Sequence, residues 1–248
     1  MNAAQRRMVE LLEIFDGICR QEGLTYWLDH GTLLGAVRES GFIPWDDDLD
    51  VTMPREDYER FLKIAPLRLP ETIFLQTKES DPATPVHYAK LRDRQSTYVD
   101  KWEEGRKIRY HQGIFIDIFP LNRIHVSRER VYARLLDFAK LFSNRYVKID
   151  PVAEYLIRKI NAFHDPKGEL LVSGGETMHY VIHVPVEKVF PLSEVVFEGR
   201  KYPAPADATA YLATIFGESF MMPPPPEKRT SHSTKILVDT PCKKETDG

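Results

Sequence analysis

The stretch GIFIDIFPL, residues 113–121, is apolar throughout except for Asp117. On a strand, side chains alternate between faces, so Asp117 shares its face with Phe115 and Phe119. An ionised carboxylate among such neighbours costs several kcal/mol unless something pairs with it. A fold that accepts this strand must bring Asp117 a partner. GFIPWDDDLDV, residues 41–51, suggests one, because it packs four carboxylates into five positions directly behind Trp45. In DLDVTM a period of two sets Asp48, Asp50 and Thr52 on one face and Leu49, Val51 and Met53 on the other. Asp48 and Asp50 then stand roughly 7 Å apart at their backbones. If this strand neighbours that of Asp117, about 4.8 Å away, the three acids form an oxygen site for a hard divalent cation, Mg²⁺ or Mn²⁺.

Plainer readings compete. Asp46, Asp48 and Asp50 have the one-three-five spacing of a calcium EF-hand loop, but Val51 stands where that loop needs glycine and Asp57 where it needs glutamate. Asp46 and Asp47 alone read equally well as a solvated acidic turn. For Asp117 the alternative is a structural carboxylate that caps a turn or pairs with an arginine.

Gly31-Thr32 is expected at a strand-to-helix turn, where free amides and the positive end of the helix dipole suit a phosphate. YAKLRDRQST, residues 88–97, sends Tyr88, Lys90 and Arg92 to one strand face. Lys90 and Arg92 are two cations able to clamp phosphate oxygens, or else they line a solvated edge. Together these parts describe phosphoryl-group transfer, with cations and amides neutralising a diphosphate.

The pattern predicts an α+β fold. A helix over 4–22 buries Met8, Leu11, Leu12, Phe15, Ile18 and Cys19 and stops at Gly23. Strands are expected at 24–29, 48–53, 73–77, 86–93, 113–119, 179–184 and 194–198. Short helices open near Thr32 and run over 54–65 and 207–216, the last capped by Asp207. Residues 127–165 read as a helical lobe with Val131, Leu135, Phe138 and Phe142 on one face. A single domain over 1–229 followed by a polar, mobile tail over 230–248 completes the expectation.

Among 248 residues, 34 basic and 37 acidic side chains give a formal net charge of -3, which argues against a nucleic-acid partner. No apolar run approaches the roughly 18 residues needed to span a bilayer, and the start is amphipathic, so a cytoplasmic protein is expected. Cys19 and Cys242 are too few and too far apart for a disulfide framework or a zinc site. The eight histidines show no ligand spacing, and His30, beside the turn, reads as a packed strand-end residue.

In this order, LLGAVRESGFIPWDDDLDVTMPREDYERF, then GIFIDIFPL, then YLATIFGESFMMPPPPEKR closely resemble the LicD family of phosphocholine transferases and the related fukutin-type phosphoribitol transferases. The resemblance spans roughly residues 20–229 and is loose from about 122 to 190. It implies a nucleotidyltransferase-like mixed β-sheet flanked by helices. It also implies that Gly31 and Thr32 bind nucleotide phosphates, that Asp48 and Asp50 bind metal, and that Asp117 is the third acid. Asp47 departs from the general superfamily pattern, which has an apolar residue there.

The implied reaction carries a phospho-alcohol group, foremost phosphocholine, from a CDP-activated donor to a sugar hydroxyl of a surface glycan or its lipid-linked precursor, releasing CMP. Asp117 would take the hydroxyl proton, and Lys90 or Arg92 would steady the departing CMP. The acceptor leaves peripheral association with the inner membrane face open. Phosphoribitol, phosphoglycerol and phosphoethanolamine share this chemistry. A metal-dependent glycosyltransferase and a silent nucleotide- or glycan-binding protein are the rival classes.

Overall fold

The computed structural model describes residues 1–141, 150–177 and 182–242. Helix α1 (Ala3–Glu22) starts at Asn2, whose side chain accepts from Gln5 N–H while the Gln5 side chain accepts from Asn2 N–H. It ends at Gly23, whose φ of 60° is left-handed backbone that glycine adopts without strain. Its apolar stripe is buried as its spacing predicts.

Strand β1 (Trp27–Leu28) is followed by α2 (His30–Glu39), then β2 (Asp50–Pro54), α3 (Arg55–Arg68), β3 (Ile73–Gln76), β4 (Ala89–Asp93) and β5 (Thr97–Asp100). The long strand β6 (Phe115–Ile124) leads into α4 (Glu129–Lys140) and α5 (Asp150–Asn161). Then come β7 (Leu170–Ser173), β8 (His183–Pro185), α6 (Val186–Val189), β9 (Ser193–Phe197), β10 (Arg200–Ala204), α7 (Ala208–Phe216) and β11 (Ser233–Leu237).

Seven of the described strands form one mixed sheet, ordered β1-β2-β6-β4-β3, with β7 on the far half of β6 and β8 on β7. The pairing of β2 with β6 is parallel and the rest are antiparallel. Helices α1, α2, α3 and α7 bury their apolar faces in one large core around Trp27, Phe61, Ile116 and Tyr211. A smaller core joins α4 and α5 to the end of β6 and to β7 through Ile124, Leu136, Ile160 and Leu170. The architecture is the expected α+β mixed sheet with a helical lobe.

Several elements differ from the sequence reading. Helix α2 opens at His30 rather than Thr32, because the Asp29 side chain accepts from His30 N–H and caps it there. The first strand keeps only Trp27 and Leu28. Strand β2 begins at Asp50, which leaves Asp48 in the preceding loop. In α4 the buried residues are Tyr132, Leu136 and Ala139, while Val131 and Phe138 are exposed. That helix carries two neighbouring apolar stripes, and the winner is the one whose tyrosine hydroxyl donates to the Ser173 carbonyl and whose alanine admits α5. Phe142 lies outside the described residues, as do 179–181 of the strand expected over 179–184.

The region expected to be mobile after residue 230 contains β11, which pairs with β5 in a two-stranded sheet. Its hydrogen-bond partners lie more than a hundred residues away, where no local pattern reveals them.

Candidate active site

The parallel ladder between β2 and β6 sets Asp50 opposite Asp117, and the antiparallel ladder between β6 and β4 sets Lys90 opposite Asp117 on its other side. Directly opposed residues project to the same face of a sheet. Asp50, Asp117 and Lys90 therefore form a row across three adjacent strands. The ladder begins immediately before them, where Asp117 N–H donates to the Leu49 carbonyl at 2.8 Å.

The partner that Asp117 demands is Lys90, whose Nζ lies 2.5 Å from Oδ1, with the Tyr88 hydroxyl 3.4 Å from Oδ2. The Lys90 ammonium also sits 3.6 Å from the centroid of the Phe115 ring. Burial pushes the Asp117 pKa up against the pull of Lys90, and it pushes Lys90 down against the pull of Asp117.

Asp50 is buried, and among the described residues nothing donates a hydrogen bond to its carboxylate or pairs with it. Burial, then Asp48, Asp117, Asp46 and Asp29, raise its pKa well above the carboxylate range. Asp46 is pushed up to about 9 by burial, Asp48 and Asp47. These acids form a concentration of negative potential met at close range by Lys90.

Thr32 is buried on the first turn of α2, and its Oγ1 accepts from Asp50 N–H at 2.8 Å, tying the helix start to the head of β2. Gly31 faces Asp46, where a Cβ would lie 2.8 Å from Oδ2. Glycine is thus the residue that lets this turn approach the acids. His30, just before, packs edge-on against Phe119 with ring centroids 5.3 Å apart. Burial favours its neutral form, but the adjacent Asp29 outweighs burial and raises its pKa.

Arg92 shares the Phe115 ring with Lys90 but is committed to the protein. Its Nε donates to Gln76 Oε1 at 2.6 Å and a terminal nitrogen to the Gly113 carbonyl at 2.7 Å. Strand β4 is buried along its whole length between β6 and β3, so neither cation lines a solvated edge.

The fold thus brings Gly31, Thr32, Asp50, Lys90 and Asp117 around one region, with Asp48 in the loop that enters it. Three residues were not singled out by their sequence pattern. Asp46 stands beside Gly31, and only its one-three-five spacing with Asp48 and Asp50 hinted at a shared face. Asp47 turns away and accepts from His232 N–H and Ser233 N–H, both at 2.8 Å. His232 arrives from the far end of the chain and puts Nε2 3.6 Å from Asp48 Oδ2, a contact with no local signal.

Acids at the head of a parallel strand pair, facing a helix N-terminus in an α+β mixed sheet, fit the class of nucleotidyltransferase-fold transferases. Residues 23–131 match the family model described as LicD/FKTN/FKRP, nucleotidyltransferase domain. The lipopolysaccharide cholinephosphotransferase LicD of Haemophilus influenzae is 27% identical over 261 residues, covering 93% of this chain and 95% of that protein. The ribitol 5-phosphate transferase FKRP of Homo sapiens is 40% identical over 52 residues, 21% of this chain and 10% of that protein. Mannosyltransferase regulator 4 of Saccharomyces cerevisiae is 36% identical over 50 residues, 20% of this chain and 4% of that protein. No helix among the described residues is long and apolar enough to cross a membrane.

Proposed function

We propose that this protein is a divalent-metal-dependent transferase that moves phosphocholine from CDP-choline to a sugar hydroxyl of a surface glycan or its lipid-linked precursor. The observation that carries the reading is the register of Asp50 opposite Asp117, which sets two acids 67 positions apart side by side on neighbouring strands. The near full-length likeness to the Haemophilus influenzae cholinephosphotransferase supports phosphocholine as the group carried.

The donor chemistry suits a hard cation. The donors are carboxylate oxygens, the Asp50 carboxylate is buried without a partner among the described residues, and burial, followed by repulsion from the neighbouring acids, raises its pKa. Asp48, Asp50 and Asp117 would hold Mg²⁺ or Mn²⁺, which when bound neutralises charge on the diphosphate.

The chain's own groups do the rest. With the His30 N–H held by Asp29, the amides of Gly31 and Thr32 at the start of α2 receive donor phosphate. The acceptor oxygen attacks the choline-bearing phosphorus, the bond from that phosphorus to the CMP oxygen breaks, and CMP leaves with the electron pair. Asp117 takes the hydroxyl proton at Oδ2, while Lys90 holds Oδ1 and keeps the carboxylate oriented. Arg92 acts at one remove by packing beneath Lys90 on Phe115 and fixing that strand. With two of its nitrogens committed to Gln76 and Gly113, it is placed to support the site more than to grip CMP.

The test is CMP release from CDP-choline, CDP-ethanolamine, CDP-glycerol and CDP-ribitol with Mg²⁺ or Mn²⁺ and a glycan acceptor. CDP-choline should lead the panel. Preference for CDP-ribitol would favour the activity named for the FKRP match. Release of UDP or GDP from a nucleotide-sugar, or no CMP from any donor, would overturn the proposal.

A further inference from the structure

Residues 229–237 form a strap across the acidic loop. At one end the Arg229 guanidinium lies 4.5 Å from the centroid of the Trp45 ring. At the other, β11 pairs with β5, joining Ser233 to Asp100 and Leu237 to Thr97. Between them, Asp47 accepts from two successive backbone N–H groups and from the Ser233 hydroxyl, and Lys101 N–H donates to the His232 carbonyl at 2.9 Å.

The latch determines where the His232 ring goes. With its own N–H on Asp47 and its carbonyl accepting from Lys101 N–H, His232 is held on both sides, and its Nε2 lies 3.6 Å from Asp48 Oδ2. One donor atom each from Asp46, Asp48 and His232 lies within 4.8 Å of the other two. A further feature points to a ligand here. The buried Asp50 carboxylate behind the loop has no partner among the described residues. An exposed histidine resting on one aspartate would not need a buried carboxylate to fix its register.

We propose that Asp46, Asp48 and His232 form a divalent-cation position at the mouth of the acidic cluster, with its nitrogen donor supplied by the C-terminal strap. This rests on the metal-dependent reading of the site and extends it. Carboxylate oxygens alone suit Mg²⁺, whereas an imidazole nitrogen shifts preference toward Mn²⁺ and later transition metals. The strap thereby ties cation choice to the docking of the chain's last described strand. His232 is exposed, so its replacement leaves the core untouched.

The test is Mn²⁺ and Mg²⁺ binding to the full chain by calorimetry, with pulsed EPR of the Mn²⁺ complex, for the unaltered protein, His232→Ala and Asp50→Asn. The expected results are imidazole-nitrogen modulation that His232→Ala abolishes, and a loss of Mn²⁺ affinity of at least about tenfold in that variant with a smaller loss for Mg²⁺. Thermal unfolding of metal-free His232→Ala should match the unaltered chain. Unchanged Mn²⁺ affinity in His232→Ala with binding lost in Asp50→Asn would sink the strap ligand and keep the carboxylate site. Binding lost in His232→Ala but unaltered in Asp50→Asn would keep the strap ligand and remove Asp50 from the metal. No Mn²⁺ binding by the unaltered chain would overturn both.

Discussion

Asp50 and Asp117 occupy paired positions on two parallel strands, yet only Asp117 has a cation beside it. The two acids therefore fail differently when neutralised. Asp50→Asn removes repulsion from a buried position and should leave the metal-free melting temperature equal or higher, while abolishing metal-induced stabilisation and turnover. Asp117→Asn strands a buried ammonium and should destabilise by about 3–5 kcal/mol. Chemical denaturation of both variants with and without Mn²⁺ checks this, and partial rescue of Asp117→Asn by Lys90→Met would assign the loss to the orphaned lysine.

Gly31→Ala places a methyl group against the end of the Asp46 side chain. A flexible carboxylate can yield, so stability should change by no more than about 1 kcal/mol. Turnover and metal affinity should fall much further, because Asp46 is displaced from the loop it shares with Asp48. Paired denaturation and calorimetry measure the two effects on the same sample.

Arg55 joins the small helical lobe to the sheet. It is buried at the head of α3, bonds Glu176 through both terminal nitrogens at 2.8 and 2.7 Å, and donates to Asn122 and Asn161. Arg55→Met should cost about 3–5 kcal/mol because Glu176 and two amide side chains lose their donor. Hydrogen exchange should show α5 loosening before α1.

His125 lies between Asp165 and Glu169, at 3.1 Å from Asp165 Oδ2 and 3.2 Å from Glu169 Oε2. Hydrogen bonding to Glu169, with help from Asp165, raises its pKa above the ordinary histidine value. A raised histidine contributes fully below its unfolded pKa and loses that contribution as pH climbs through the folded value. Both carboxylates are shifted down, so their share is lost only at the acid end. Protection factors of amides in the 163–170 turn, corrected for intrinsic exchange, should therefore fall as pH rises through the histidine range, and His125→Gln should abolish that fall. A proton NMR titration of His125 gives the shift directly.

How much of this site could be read before folding depended on the range of the interactions. Asp117 was visible because one acid in an apolar strand has a large local cost, and the sequence itself announces that cost. Asp48 and Asp50 were visible through their spacing, and the α1 stripe and its Gly23 stop through helical periodicity. The inward face of α4 was not, since two adjacent stripes were both apolar and packing against α5 and β7 chose between them. Arg92 looked like a free cation until Gln76 and Gly113 claimed it.

Local chemistry in the chain determined the helices' apolar faces, the isolated acid and the acidic loop, because each is a matter of residues within a few positions of one another. Tertiary structure decided the register that opposes Asp50 and Asp117, the lysine that compensates Asp117, and the latch that carries His232 to Asp48. Those depend on which strands become neighbours, a choice made by burial of the whole core and absent from any single segment.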